Sequence, residues 1–247
     1  MQRLGLVIAQ GLDQMGDKVK RRIVVTAVLA VFLAASAYAQ TSSFFDLAKT
    51  GTPVTIMAAI KRGENVNALN ALGWTALMSA AGANQDPQVV TTLLKAGADL
   101  AARDKDGETS LMWAAGRNRN PEMITTLLKA GSDIEAQDKY GLTALMHAAQ
   151  NNANPEVINA LLSAGAKLNA RAKGGETALI EAAAFNWNPL VIATLLAAGA
   201  DVEARDNHGM TALMHAVKYN QNHEVVTTLL KAGADAKAKN DKGNTVL

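Results

Sequence analysis

Beyond residue 70 the apolar positions alternate between two patterns. In the first, small and aliphatic residues recur at i, i+3 and i+4, as in Leu145, Ala148 and Ala149. In the second, branched residues recur at i, i+1, i+4 and i+5, as in Val157, Ile158, Leu161 and Leu162. Both match the period of an α-helix with one buried stripe. Polar residues and glycines punctuate them. Thr143 can cap the first helix through its hydroxyl. Asn152 stands where that helix should stop, and asparagine tolerates positive φ. Asn154-Pro155-Glu156 opens the second helix with an N-cap, a proline at N1 and a carboxylate at the positive helix end. Gly165 ends it in the left-handed conformation. Ala166 to Gly175 then carries the chain out and back as a β-hairpin finger.

This unit repeats. Gly73, Gly107, Gly141, Gly175, Gly209 and Gly243 are each 34 residues apart, and each opens a variant of GLTALMHAA. The second helix keeps the same period, from DPQVVTTLLKAGAD to NHEVVTTLLKAGAD. A fixed period of this length marks a solenoid, in which neighbours must stack because no unit buries its apolar face alone. The expected architecture is an all-α repeat solenoid of 34-residue helix-turn-helix units linked by β-hairpin fingers. Five full units span 70–239, a capping unit spans 42–69, and 240–247 begins an incomplete further unit.

The G-x-T-x-L-x-x-A-A and L-L-x-x-G-A-D runs resemble the ankyrin repeat over about residues 42–247. There are two departures. The usual T-P-L-H is T-A-L-M here, as in Thr143-Ala144-Leu145-Met146, so the inter-repeat hydrogen bonds of the family's histidine have no direct counterpart. The usual period of 33 is 34, with the extra residue in the N-x-N-P connection between helices. The resemblance implies a non-enzymatic protein–protein interaction module whose partner docks on the concave face of hairpin tips and first helices. Together with the N-terminal segment, the array is similar to small exported bacterial ankyrin-repeat proteins, some of them associated with periplasmic catalases. A periplasmic enzyme is therefore among the candidate partners.

That N-terminal segment has its own logic. Lys18, Lys20, Arg21 and Arg22 precede an uncharged apolar run, Ile23 to Ala37, and then Ala37-Tyr38-Ala39. A basic region, a short apolar stretch and an A-x-A site read as a secretory signal peptide over residues 1–39, cleaved after Ala39. The run falls short of the ~20 apolar residues of a spanning helix, so no stable membrane insertion is expected after cleavage. Translation from Met15 would give a more ordinary signal. The expected location is the periplasm or beyond the cell.

Charge follows from this division. The chain has 24 basic and 22 acidic residues. Without residues 1–39 the balance is 19 to 20, which gives no basic bias and argues against nucleic acid as a partner. With 49% hydrophobic but only 4% aromatic residues, the composition suits closely stacked helices. No cysteine is present, so disulfides, thiol nucleophiles and thiolate metal sites are excluded.

Catalysis would need residues that break the repeat. Ser79, Trp113, His147, Glu181 and His215 occupy one variable position on the first helices. His147 and His215 are two units apart and cannot share a metal, because packed helices stand ~8–10 Å apart. His208 and His215 lie in one unit, and two histidines without a third ligand make a weak zinc case. The glycines are helix ends and turns, and Asp104, Asp138 and Asp206 recur as turn residues. No enzyme activity, cofactor or metal is therefore expected. A metal protein or enzyme using His208 and His215, or a secreted effector acting on a host protein, stands as the alternative.

The resemblance maps the partner surface onto Trp74, Lys105, Asp106, Glu108, Trp113, Lys139, Tyr140, Leu142, His147, Glu181, Phe185, His208, Met210, His215 and Tyr219. Interfaces favour aromatic residues, methionine and arginine, and a few anchors carry most of the affinity. Trp113, Tyr140, Leu142, Met210 and Tyr219 have no obvious stacking role in sequence. Phe185 and Trp187 suit either a partner or a fold over the next repeat. Arg103, Lys105, Arg117 and Arg119 gather around Trp113, which fits either an acidic partner or a solvated edge. Gly243 to Leu247 begins a unit without its helices. Either the sequence is cut short there, or the flank of Val225, Leu229 and Leu230 pairs with a second copy.

Overall fold

A computed structural model describes residues 43–246. The signal-peptide segment and its cleavage site lie outside the described residues. Among the described residues twelve α-helices follow one another in pairs. They are α1 (Phe44–Thr50), α2 (Pro53–Lys61), α3 (Ala76–Ala83), α4 (Pro87–Lys95), α5 (Ser110–Arg117), α6 (Pro121–Lys129), α7 (Ala144–Asn151), α8 (Pro155–Ser163), α9 (Ala178–Phe185), α10 (Pro189–Ala197), α11 (Ala212–Tyr219) and α12 (His223–Lys231). None is long and apolar enough to cross a membrane.

First helices stack on first helices of the neighbouring units, and second helices on second helices. The odd-numbered helices from α3 to α9 are buried on nearly every side, which their alanines allow. Ala80, Ala81, Ala114, Ala115, Ala148, Ala149, Ala182 and Ala183 are all fully buried. The second helices bury one stripe each, such as Val157, Ile158 and Leu161. One continuous core thus runs from Phe44 to Ala234.

Local chemistry sets the helix ends. Thr75, Thr109, Thr143, Thr177 and Thr211 cap the first helices by accepting the N–H three residues on. Asp86, Asn120, Asn154, Asn188 and Asn222 cap the second helices, with proline following in all but the last. Gly165 takes φ +95° just beyond α8, and its N–H donates to Leu162 O, while Ala166 N donates to Leu161 O. These bonds close the helix as the glycine position predicts.

Asn152 corrects the sequence reading. Its backbone is extended, at φ −94° and ψ 126°, and no residue other than glycine has positive φ among the described residues. Its side chain explains the position. Nδ2 donates to Ala115 O (2.9 Å) and Asn118 O (2.7 Å) of the preceding unit, while Oδ1 accepts Asn154 N. Asn84, Asn118, Asn186 and Asn220 do the same, each reaching back one unit. The acceptors are carbonyls at the C-terminal end of a first helix, which have no partner in their own helix. Each unit thus caps its predecessor. Met146, in place of the family's histidine, is buried in the core.

The fingers are hairpin turns without a strand ladder. Among the described residues the only β-bridge is isolated, Arg205 to Thr211. Except at Ala172, each turn is held by an aspartate or asparagine: Asp138 Oδ1 accepts the N–H groups of Tyr140 (2.8 Å) and Leu142 (2.9 Å). Neighbouring tips join through the backbone, as in Lys139 N to Asp106 O (2.9 Å) and Lys173 N to Tyr140 O (3.0 Å). Gly141 permits that approach. It has φ +85°, and a Cβ there would lie 2.7 Å from Lys173 N. At Gly97, φ is +89° but a Cβ would meet nothing within 4 Å. Gly141→Ala should therefore cost about 2–3 kcal/mol, against about 1 kcal/mol for Gly97→Ala. Urea midpoints of the two variants would check this, and equal losses would contradict the close-approach account.

Candidate functional site

The fingers and first helices of four consecutive units line a cleft of about 1070 Å³. Its floor is set by the variable position on the first helices. Trp113 on α5, His147 on α7 and Glu181 on α9 are 5%, 6% and 6% exposed. The expectation that these residues form a polar or aromatic outer surface is thus corrected. Trp113 and His147, and His215 at the same position on α11, are held from above by finger aspartates, whose second oxygen is free of turn duty. Trp113 Nε1 donates to Asp104 Oδ2 (3.0 Å), His147 Nε2 to Asp138 Oδ2 (3.1 Å) and His215 Nε2 to Asp206 Oδ2 (2.8 Å). One carboxylate thus closes its own turn and ties the finger to its helix. Trp113 also has a packing role: its ring meets Trp74 edge-on at 4.3 Å, and the Arg117 guanidinium lies 3.8 Å over it.

Glu181 lacks this tie because Ala172 replaces the finger aspartate. Only Gln150 Nε2 of the preceding unit donates to it, at 3.0 Å. Burial, with Glu176 and Asp138 nearby, pushes its carboxyl up to about 7. Glu108 is also pushed up to about 7, by burial and by Asp104. His147 lies between Asp138 and Glu108, whose Oε1 is 3.7 Å from Nδ1. Burial holds its pKa below the ordinary histidine value, against the pull of Asp138.

The structure brings Asp106, Glu108, Trp113, Lys139, Tyr140, Leu142, His147, Glu181, Phe185, His215 and Tyr219 to this cleft. Four residues of the expected surface do not line it. Trp74 packs on Trp113. Lys105 donates to Ala71 O at 2.9 Å. His208 is exposed, and Met210 is half-buried. Leu142 is half-buried against the core and so has a stacking role. The truly exposed apolar rim is Tyr140 (57%), Phe185 (52%) and Tyr219 (49%). Phe185 and Tyr219 stack with centroids 6.4 Å apart. Trp187 is 63% exposed rather than folded over its neighbour.

Two readings left open in the sequence are narrowed. Arg103 donates to Gly107 O and Gln137 O, so with Lys105 it serves finger carbonyls rather than a free basic patch. Val225 and Leu229 are fully buried, and only Leu230 of that flank is 44% exposed. His208 and His215 do not gather a third donor. The one group of three His, Asp or Glu donors among the described residues is Glu108, Asp138 and His147, whose ligand atoms lie within 4.8 Å of one another. The sequence signal for it was the spacing of a finger aspartate nine residues before a helix histidine, with a glutamate one unit earlier.

Stacked helix pairs and finger turns in 34-residue register define a repeat scaffold. The family profile described as "Ankyrin repeats (3 copies)" matches residues 44–138, 80–172 and 145–240, and the chain belongs to the ankyrin-repeat family. A solved relative is the ankyrin repeat domain of Bcl-3, described as a unique member of the IkappaB protein family. It is 31% identical, with a TM-score of 0.64, covering 82% of this chain and 91% of that one. A comparison with curated protein sequences finds no match. Ankyrin repeats are protein–protein interaction modules and generally non-catalytic scaffolds, which supports a non-enzymatic binding role for this chain.

Proposed function

We propose that the chain is a protein-interaction module that acts outside the cytoplasm and takes its partner in the cleft between fingers and first helices. One observation carries the choice of surface. Tyr140, Phe185 and Tyr219 stand exposed at the rim of a cleft whose other aromatic, Trp113, is used by the fold. Large aromatics on a rigid scaffold are the side chains that most often anchor an interface. Export is supported by the basic cluster, apolar run and A-x-A site of residues 18–39.

The test pairs cell fractionation with affinity capture from the compartment in which the chain is found. Tyr140→Ala and Phe185→Ala should each weaken capture of a specific partner at least ~10-fold, as loss of one anchor of about 1.4 kcal/mol does. Their melting should stay near that of the parent, since both side chains are half exposed. Unchanged capture by the double variant would move the docking face elsewhere. Trp113→Ala is a poor probe, because losing a buried side chain would confound folding with binding. Retention in the cytoplasm with residues 1–39 intact would remove the extracytoplasmic part of the proposal.

A further inference from the structure

We propose that Glu108, Asp138 and His147 form a divalent transition-metal site, of the class that takes zinc, with one coordination position open to the cleft. The donor set is one imidazole and two carboxylates, which suits zinc and its neighbours rather than calcium. All three ligand atoms lie within 4.8 Å of one another. Ligands at ~2.0–2.2 Å around a tetrahedral ion sit about 3.3–3.6 Å apart. His147 Nε2 and Asp138 Oδ2 are 3.1 Å apart, so an ion can replace the direct hydrogen bond once the carboxylate oxygen moves off the Nε2 axis. Glu108 Oε1 faces the other ring nitrogen, Nδ1, at 3.7 Å, so its half-buried side chain must swing through the cleft to the Nε2 side to complete the site.

The surroundings fix two of the ligands. Asp138 Oδ1 is held by the N–H groups of Tyr140 and Leu142, which aims Oδ2. Such outer bonds orient a ligand before the metal arrives. The His147 ring sits on α7, its Cβ 3.7 Å from where a Cβ on Gly116 would lie. Charge favours a cation. Arg117 opposes it, but its guanidinium is held over Trp113, and Asp104 adds a third carboxylate beside Glu108 and Asp138.

The array contains its own comparison. The same residue types recur two units later as Glu176, Asp206 and His215. There the histidine–aspartate bond is 2.8 Å, but Glu176 folds back over Gly174 and the three do not gather. One site per chain is therefore expected, at His147 and not at His215. This inference does not depend on the partner reading, because the ligands come from this chain alone.

Calorimetric titration of the purified full chain with zinc sulfate, after treatment with a chelator, tests it. One zinc should bind per chain. Glu108→Gln, at a half-buried position, should weaken binding at least ~10-fold, the loss expected even for an outer-shell partner. His147→Gln should abolish it, and His215→Gln should leave it unchanged. Circular dichroism of each variant would show whether the fold is kept. Binding of less than a tenth of an equivalent by the parent chain overturns the proposal. So does binding that survives both Glu108→Gln and His147→Gln, or that is lost in His215→Gln.

Discussion

Replacing Asn152 with alanine should cost about 3 kcal/mol and loosen the coupling between the second and third full units. The residue is 2% exposed and makes three hydrogen bonds through its side chain. Two of them satisfy carbonyls at the end of α5, and the third holds the N–H of Asn154 before α8. Alanine leaves all three groups without that partner. A hydrogen bond contributes about 1 kcal/mol net, and a buried group left unsatisfied costs ~1–3 kcal/mol. Water entering at the end of α5 would keep the sum near the lower bound. Solenoid stability is a sum of unit and interface terms, so weakening one interface also broadens the unfolding transition. Asn154→Ala is the comparison. Asn154 Nδ2 reaches Arg119 O at 2.7 Å, but that bond is solvent-exposed, and its cap on α8 is worth about 1 kcal/mol. Urea unfolding followed by circular dichroism would distinguish the two. Equal losses, or an unchanged midpoint for Asn152→Ala, would contradict the cross-repeat role.

Glu181→Gln should raise stability at pH 8 by about 2 kcal/mol and change little at pH 4. The ordinary glutamate value of 4.5 is raised to about 7 in the fold, by burial and then by Glu176. Below 4.5 both folded and unfolded chains hold the proton. As pH rises from 4.5 to about 7 the unfolded chain releases it while the folded chain keeps it, so the unfolded state gains and stability falls. Above 7 the loss is complete and the curve levels. A shift of this size corresponds to about 3 kcal/mol, which local relaxation reduces. Glutamine keeps an acceptor for Gln150 without the charge. Glu108 titrates in the same window for a similar reason, so part of the slope should remain in Glu181→Gln and disappear in the double variant with Glu108→Gln. Unfolding free energies at pH 4.5, 6 and 8 would show it. Parallel pH profiles for parent and double variant would contradict the assignment.

The repeat period, the helix pairs and their caps were all available in the sequence, because each depends on local chemistry. Thr143 caps α7 and Asn154 caps α8 through atoms only two or three residues away. Gly165 closes α8 for the same reason. What the sequence misassigned has a common cause. Asn152, Trp113, His147 and Leu142 were judged by their own unit, and each is decided by a neighbour in space. Asn152 looked like a turn residue, but its side chain serves carbonyls 34 and 37 positions back. His147 looked like a surface residue, but a finger aspartate and the glutamate of the preceding unit enclose it.

By itself, then, the sequence determined a stacked array of 34-residue helix pairs, since periodicity, capping residues and glycines act within one unit. It also marked the variable positions from which a site could be made. Only the tertiary structure decided which of them are floor and which are rim. Trp113 and His147 are tied into the stack by the finger aspartates above them and Glu181 is buried without such a tie, while Tyr140, Phe185 and Tyr219 remain exposed. That division depends on how far one unit is displaced against the next, and it is this displacement that brings Glu108 to His147 across 39 positions of sequence.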